Sequence, residues 1–100
     1  MSTIELSKIV FKDTKEEVSF AYGEIFVSSD GFHKSWDVEL NDVVNGKPLE
    51  RAMRDRKQPT LILLDKQGKE YEGKVLVANY LTGSSGTHIE LAGNGQLKGY

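Results

Sequence analysis

The sequence predicts a mainly β domain: a small antiparallel rolled sheet or partly open barrel of about six strands, with one short helix. Three observations lead there. Apolar residues recur with period two in several stretches, as they do in strands with one buried face. Turn signals punctuate those stretches at Asp30-Gly31, at Asp65-Lys66-Gln67-Gly68 and at Thr82-Gly83-Ser84-Ser85-Gly86. Only Pro48 to Arg56 has apolar residues at helical spacing. A sheet with long bent strands can close on itself at this chain length, which favours a roll over a two-layer sandwich.

Taken in order, Ile4 to Lys12 reads as a strand whose alternation breaks near Lys8. Asp13 to Glu17 is a polar turn or short loop. Val18 to Leu40 is a hairpin about Asp30-Gly31. A two-residue turn there sets Ile25 against Trp36, Gly23 against Val38 and Ala21 against Leu40, with Val27 on the same apolar face. The opposite face holds Phe20, Tyr22, Glu24, Phe26, His33, Asp37 and Glu39.

Asn45-Gly46 marks a further turn, and Pro48 suits the first position of a helix. Leu49, Ala52 and Met53 then form one apolar stripe on a helix covering an end of the sheet. Trp36 and Met53 read as core residues. Gln58-Pro59 separates the helix from a strand at Leu61 to Leu64. A three-residue loop with a bulged glycine joins that strand to the next. It pairs Asp65 with Lys69, Leu63 with Tyr71 and Leu61 with Gly73.

One face of this second hairpin carries Leu61, Leu63, Tyr71, Val75 and Val77; the other carries Ile62, Leu64, Glu70 and Glu72. Beyond Val75 both faces turn apolar, with Leu76, Ala78 and Tyr80 on one and Leu81 on the other. That change fits a strand crossing a roll. Thr87 to Leu91 returns antiparallel. Ala92-Gly93-Asn94-Gly95 reads as a second glycine-rich turn, and Gln96 to Tyr100 as a short final edge strand.

Residues 1–100 make one domain. The absence of cysteine excludes disulfides, a thiol nucleophile and thiolate metal sites. No apolar run reaches the roughly 18 residues a membrane span needs, and the first residues lack a signal-peptide pattern. The chain is therefore expected to be soluble and cytoplasmic, with no membrane partner. The net charge of −2 speaks against a dedicated nucleic-acid binder. Charge is unevenly spread, however. Residues 1–42 hold four lysines against nine acids, a balance of −5, and residues 43–75 hold eight bases against five acids, a balance of +3. The two regions can pair with each other or present opposite faces to a partner.

Three groups are candidate sites. Glu24, Asp37, Glu39 and His33 share a strand face, with Glu24 expected opposite Asp37. Like charges in that position invite a divalent metal, a basic partner or acid–base work; otherwise they are a solvated face. Thr82 to Gly86 offers backbone N–H groups to an anion, although no P-loop pattern follows, and the plain alternative is a hairpin loop. Lys47, Arg51, Arg54, Arg56 and Lys57 form a basic run that can bind an anion or nucleic acid, with Phe32, Trp36, Tyr71 and Tyr80 elsewhere as stacking residues. Glu50 and Asp55 dilute it. His88 alternates with Glu90 and has no visible partner. No nucleophile elbow is present.

The leading expectation is a non-enzymatic module, without cofactor, that binds another protein or itself. It would use an exposed strand edge or the mixed face around Tyr22 and Phe26, with Trp36 as an anchor if the sheet is open. An anion or nucleic-acid binder built on Arg51, Arg54, Arg56 and Lys57 is the alternative. A small hydrolase or metal enzyme built on His33, Glu24 and Asp37 ranks third.

Overall fold

The computed structural model describes residues 2–30 and 33–100. Seven strands and one helix follow one another: β1 (Ser2–Phe11), β2 (Glu17–Val18), β3 (Phe20–Asp30), β4 (His33–Val43), α1 (Lys47–Arg54), β5 (Thr60–Asp65), β6 (Glu70–Gly83) and β7 (Gly86–Lys98). Six of the strands pair antiparallel in the cyclic order β1-β3-β4-β7-β6-β5, and a β1–β5 ladder closes the ring. The domain is thus mainly β, as its alternation predicts, and the roll is a closed barrel. β2 lies along the second half of β1, pairing Ile9 with Val18 and Val10 with Glu17. It acts as the bent start of β3.

Closure follows from where the apolar side chains point. Leu6, Ile9, Ile25, Val38, Leu40, Leu61, Leu63, Val75, Ile89 and Leu91 all face inward and are almost completely buried. A ring of such strands leaves no apolar face unpartnered. The broken alternation of β1 has a counterpart in the ladder. Between Leu6 and Lys8 the register with β5 shifts, and a bulge of this kind turns the strand so that Ile9 and Phe11 still point inward.

The β5–β6 hairpin has the expected register, Leu61 opposite Gly73 and Leu63 opposite Tyr71. Asp65 N–H donates to the Lys69 carbonyl at 2.9 Å, and Gly68 takes φ +87°, the left-handed position of the bulged loop. Asp65 does more than begin the turn. Its Oδ1 accepts from the backbone N–H groups of Gln67 (2.9 Å) and Lys69 (2.8 Å), and its Oδ2 from the Tyr71 hydroxyl (3.3 Å).

The β3–β4 hairpin departs from the expected register by two residues. Ile25 pairs with Val38, Val27 with Trp36 and Gly23 with Leu40; Ala21 is exposed. The ladder reaches Asp30 opposite His33, so the connecting pair is Gly31-Phe32, which lies outside the described residues, rather than Asp30-Gly31. Because the shift is two residues, Gly23, Ile25, Val27, Trp36, Val38 and Leu40 all stay inward, and only Ala21 leaves that face.

Three further expectations are corrected. After Val77 the β6–β7 register shifts, so Ala78 is an added residue and the faces exchange. Tyr80 turns toward the core and Leu81 toward solvent. Thr82 to Gly86 does hold the hairpin turn, but a tighter one: the ladder runs out to Gly83 opposite Gly86, and Ser84-Ser85 alone connect the strands. Ala92 to Gly95 is not a turn, and no edge strand follows it: β7 runs unbroken to Lys98. Gly93 on β7 and Gly73 on β6 answer to Trp36. A Cβ on Gly93 would lie 2.2 Å from Cε2 of the indole, and one on Gly73 would lie 2.5 Å from Cζ2. The indole fills the seam where β4 and β7 part, and its Nε1–H donates to the Gly95 carbonyl at 3.0 Å.

α1 closes one end of the barrel. Pro48 occupies its first turn, and Leu49 and Ala52 are buried beneath it. Met53, expected in the core, is 39% exposed; a helix this short buries only the narrow stripe that touches the barrel. The helix ends two residues before the expected Arg56. Lys57 N–H donates to Ala52 (2.9 Å) and Arg56 N–H to Met53 (3.2 Å), with Arg56 at φ +54°. This is a Schellman termination whose left-handed position, usually glycine, holds an arginine.

Candidate functional site

The inward pattern of the core fixes what the outer wall displays. On β3 the outward residues are Tyr22, Glu24 and Phe26; on β4 they are Asp37, Glu39 and Asn41. On β7 they are His88, Glu90 and Ala92, and on β6 Leu76, Asn79 and Leu81. The ladders align these into three rows that cross four strands. One row is Phe26–Asp37–Ala92–Leu76, the next Glu24–Glu39–Glu90–Asn79, and the third Tyr22–Asn41–His88–Leu81.

The middle row sets three carboxylates side by side. Directly opposed residues on adjacent strands stand about 4.5–5.5 Å apart at Cβ, where like charges repel. Glu5 extends the row beyond Glu24 but is paired with Lys66 at 3.4 Å. Among the described residues neither Glu24 nor Glu39 has a cation within salt-bridge distance. Glu90 accepts from His88 Nε2 at 3.1 Å, and the other ring nitrogen lies 2.7 Å from Asn41 Oδ1. His88 therefore has two partners: Glu90, two residues along its own strand on the same face, and Asn41, which reaches it through the β4–β7 pairing and was not legible in the sequence.

Between the first two rows the wall is hollowed. A shallow concavity of about 330 Å³ is lined by Phe26, Asp37, Glu39, Ala78, Glu90 and Ala92. Ala78 and Ala92 have only methyl groups to fill it, and Phe26 stands at one side. Around this acid-rimmed hollow lie exposed apolar side chains, with Tyr22 65% and Leu81 55% exposed and Leu76 also open to solvent.

The expected residues divide between surface and core. Tyr22 and Phe26 are on the wall. Trp36 is 3% exposed and belongs to the barrel seam, so closure of the barrel denies it to a partner. Glu24 faces Glu39 rather than Asp37; the apposition of acids persists with a different partner. The His33 side chain lies outside the described residues. Among the described residues no group of three or more His, Asp or Glu side chains is gathered closely enough to hold a metal ion.

The basic residues spread around α1. Arg51 is tied to Glu16 at 2.6 Å. Lys47, Arg51 and Arg54 border a hollow of about 520 Å³ with Glu16 and Glu50 on the same rim. Lys57 borders a second hollow, shared with Asp13 and Asp55. Tyr71 and Tyr80, expected as stacking residues, are turned into the fold. Burial raises the Tyr71 hydroxyl pKa above its ordinary 10.0, with the Asp65 charge adding to the effect. Glu72 moves the other way: the Lys12 ammonium, 3.0 Å away, lowers its pKa, assisted by Lys98.

No protein-family model matches the chain, and no curated protein or solved structure matches it significantly. Among the described residues no helix is long and apolar enough to cross a membrane.

Proposed function

We propose that this chain is a non-enzymatic protein-interaction module whose docking surface is the outer wall of β3, β4, β7 and β6. The observation that carries this reading is the aligned row Glu24, Glu39 and Glu90 set among exposed Tyr22, Leu76 and Leu81. An isolated barrel gains nothing from either feature. Directly opposed carboxylates cost a few tenths of a kcal/mol or more per pair, and exposed apolar clusters mark interaction sites. A partner surface carrying apolar side chains with interspersed Lys or Arg removes both costs at once, since burial of the apolar groups strengthens the charge pairing around them. The nucleic-acid alternative has weaker support, because acids are interleaved with the bases around α1.

The reading is tested with a short amphipathic probe peptide of alternating lysine and leucine, titrated into ¹⁵N-labelled protein. Amide shifts are expected on β3, β4, β7 and β6, centred on Glu39 and Glu90. Glu39→Gln with Leu81→Ser is expected to weaken binding about tenfold or more, as loss of interface anchors does. Shifts scattered over the barrel, or binding unaffected by the paired substitution, would overturn it.

A further inference from the structure

The wall is one half of a complementary pair. The other half is the pole of the barrel at α1. Lys47, Arg54, Arg56 and Lys57 are exposed there, and among the described residues none of them is in an ion pair. Beside them Val44 is 84% exposed and Met53 39%. Residues 47–57 carry five bases against two acids, a balance of +3. The wall offers Glu24, Asp37, Glu39 and Glu90 with Tyr22, Leu76 and Leu81. Each patch thus combines apolar groups with charge, and the charges are opposite. They also sit on different parts of the molecule, one on the side of the barrel and one at its end, so they do not neutralise each other within one chain.

Resting on the proposed function, we infer that a second copy of this chain is the partner, docking its α1 pole on the outer wall of the first. The contact is heterologous. Wall against wall would bring carboxylates onto carboxylates, and pole against pole would bring bases onto bases, so a two-fold contact through either patch is disfavoured. A stable contact needs about 800 Å² from each partner, roughly one eighth of the 6300 Å² surface, so one copy has room for both patches. Every copy that uses its wall keeps its pole free. The contact therefore propagates into a ring or an open chain.

Two variants of the full chain test this. One blocks the wall (Glu24→Gln, Glu39→Gln, Leu81→Ser) and the other blocks the pole (Met53→Ser, Arg54→Ser, Lys57→Ser). All six positions lie outside the buried core, and circular dichroism checks that both variants fold. Sedimentation equilibrium is run on each, on the wild type and on an equimolar mixture of the variants. The wild type is expected to grow past dimer with concentration and to weaken as salt is raised. Each variant alone is expected to associate at least tenfold more weakly. Their mixture is expected to stop at a one-to-one pair, because one good wall meets one good pole and no further surface is available.

A wild type that stays monomeric, a variant that associates as strongly as wild type, or a mixture no larger than its components would each overturn the inference. If the wild type is monomeric while the lysine–leucine peptide still binds the wall, the second copy is excluded and the interaction-module reading stands. If neither the peptide nor a second copy binds, both fall.

Discussion

The inner and outer faces of the same strands obey different rules. Inward, Val38 and Leu40 on β4 meet Ile25 and Leu91 with no exposed apolar remainder, and Gly73 and Gly93 exist to let Trp36 lie flat against the backbone. Outward, one residue away along β4, Glu39 stands between two other carboxylates. The core is at a local optimum for folding, and the wall is not. A region kept against the preference of the isolated fold is where a partner's contribution is to be sought.

Substitutions sharpen that contrast, and the largest effects lie inside. Trp36→Ala is expected to cost about 4 kcal/mol of unfolding free energy. Gly93→Ala, only one methyl group, is expected to cost about 3 kcal/mol, because the indole and the β4 backbone have nowhere to go. Urea unfolding monitored by circular dichroism gives both numbers. A Gly93→Ala protein as stable as wild type would mean that the seam has slack.

Asp65 comes next. It is a buried acid with three donors, so Asp65→Ala is expected to cost about 2 kcal/mol by stranding the Gln67, Lys69 and Tyr71 donors. The linked Tyr71 gives a pH signature. Its folded pKa lies above the unfolded value of 10.0, so its contribution is complete below pH 10 and is lost as pH rises through the folded value. Tyr71→Phe is expected to flatten part of the alkaline fall in urea midpoint. Glu72 acts with the opposite sign. Its folded pKa is lowered, so its contribution is present above the ordinary glutamate value and lost as pH falls through the lowered one.

At the pole and on the wall the sign reverses. Arg56 sits at φ +54°, where an L residue costs about 1–2 kcal/mol relative to glycine's ease. Arg56→Gly is expected to stabilise the isolated domain by about 1 kcal/mol, seen as a raised urea midpoint, while weakening association of copies. Glu39→Gln is expected to raise stability by about 0.5 kcal/mol through lost repulsion, and the gain should shrink in high salt. Loss of stability in either variant would show that the outer surface is optimised for the lone fold after all.

Legibility varied from one hairpin to the next for physical reasons. Asp65-Lys66-Gln67-Gly68 names a loop with one favoured geometry, and the β5–β6 register follows from it. Asp30-Gly31 names a turn whose displacement by one residue shifts the pairing by two, so the apolar pattern of Val27, Trp36 and Val38 is satisfied by either register. The glycines at 93 and 95 resemble turn residues in every local respect. Only the position of Trp36, distant in sequence, explains Gly93, and Gly95 takes the left-handed backbone, φ +82°, inside a continuous strand. At the candidate site, Tyr22, Glu24, Phe26, Asp37 and Glu39 were visible as an outward face of one hairpin. Leu76, Leu81 and Glu90 were not, since they join that face through the β4–β7 and β6–β7 ladders.

By itself the sequence determined the class of the domain, the facing of most strand residues and the stripe that makes Pro48 onward a helix. These depend on period and on local turn chemistry, which are written in neighbouring residues. The tertiary structure alone decided that the roll closes, that Trp36 is a seam and not an anchor, and that the carboxylates of three strands align in one row. Each of these depends on which strands become neighbours, and that choice is made by burial of the whole apolar set at once rather than by any segment of the chain.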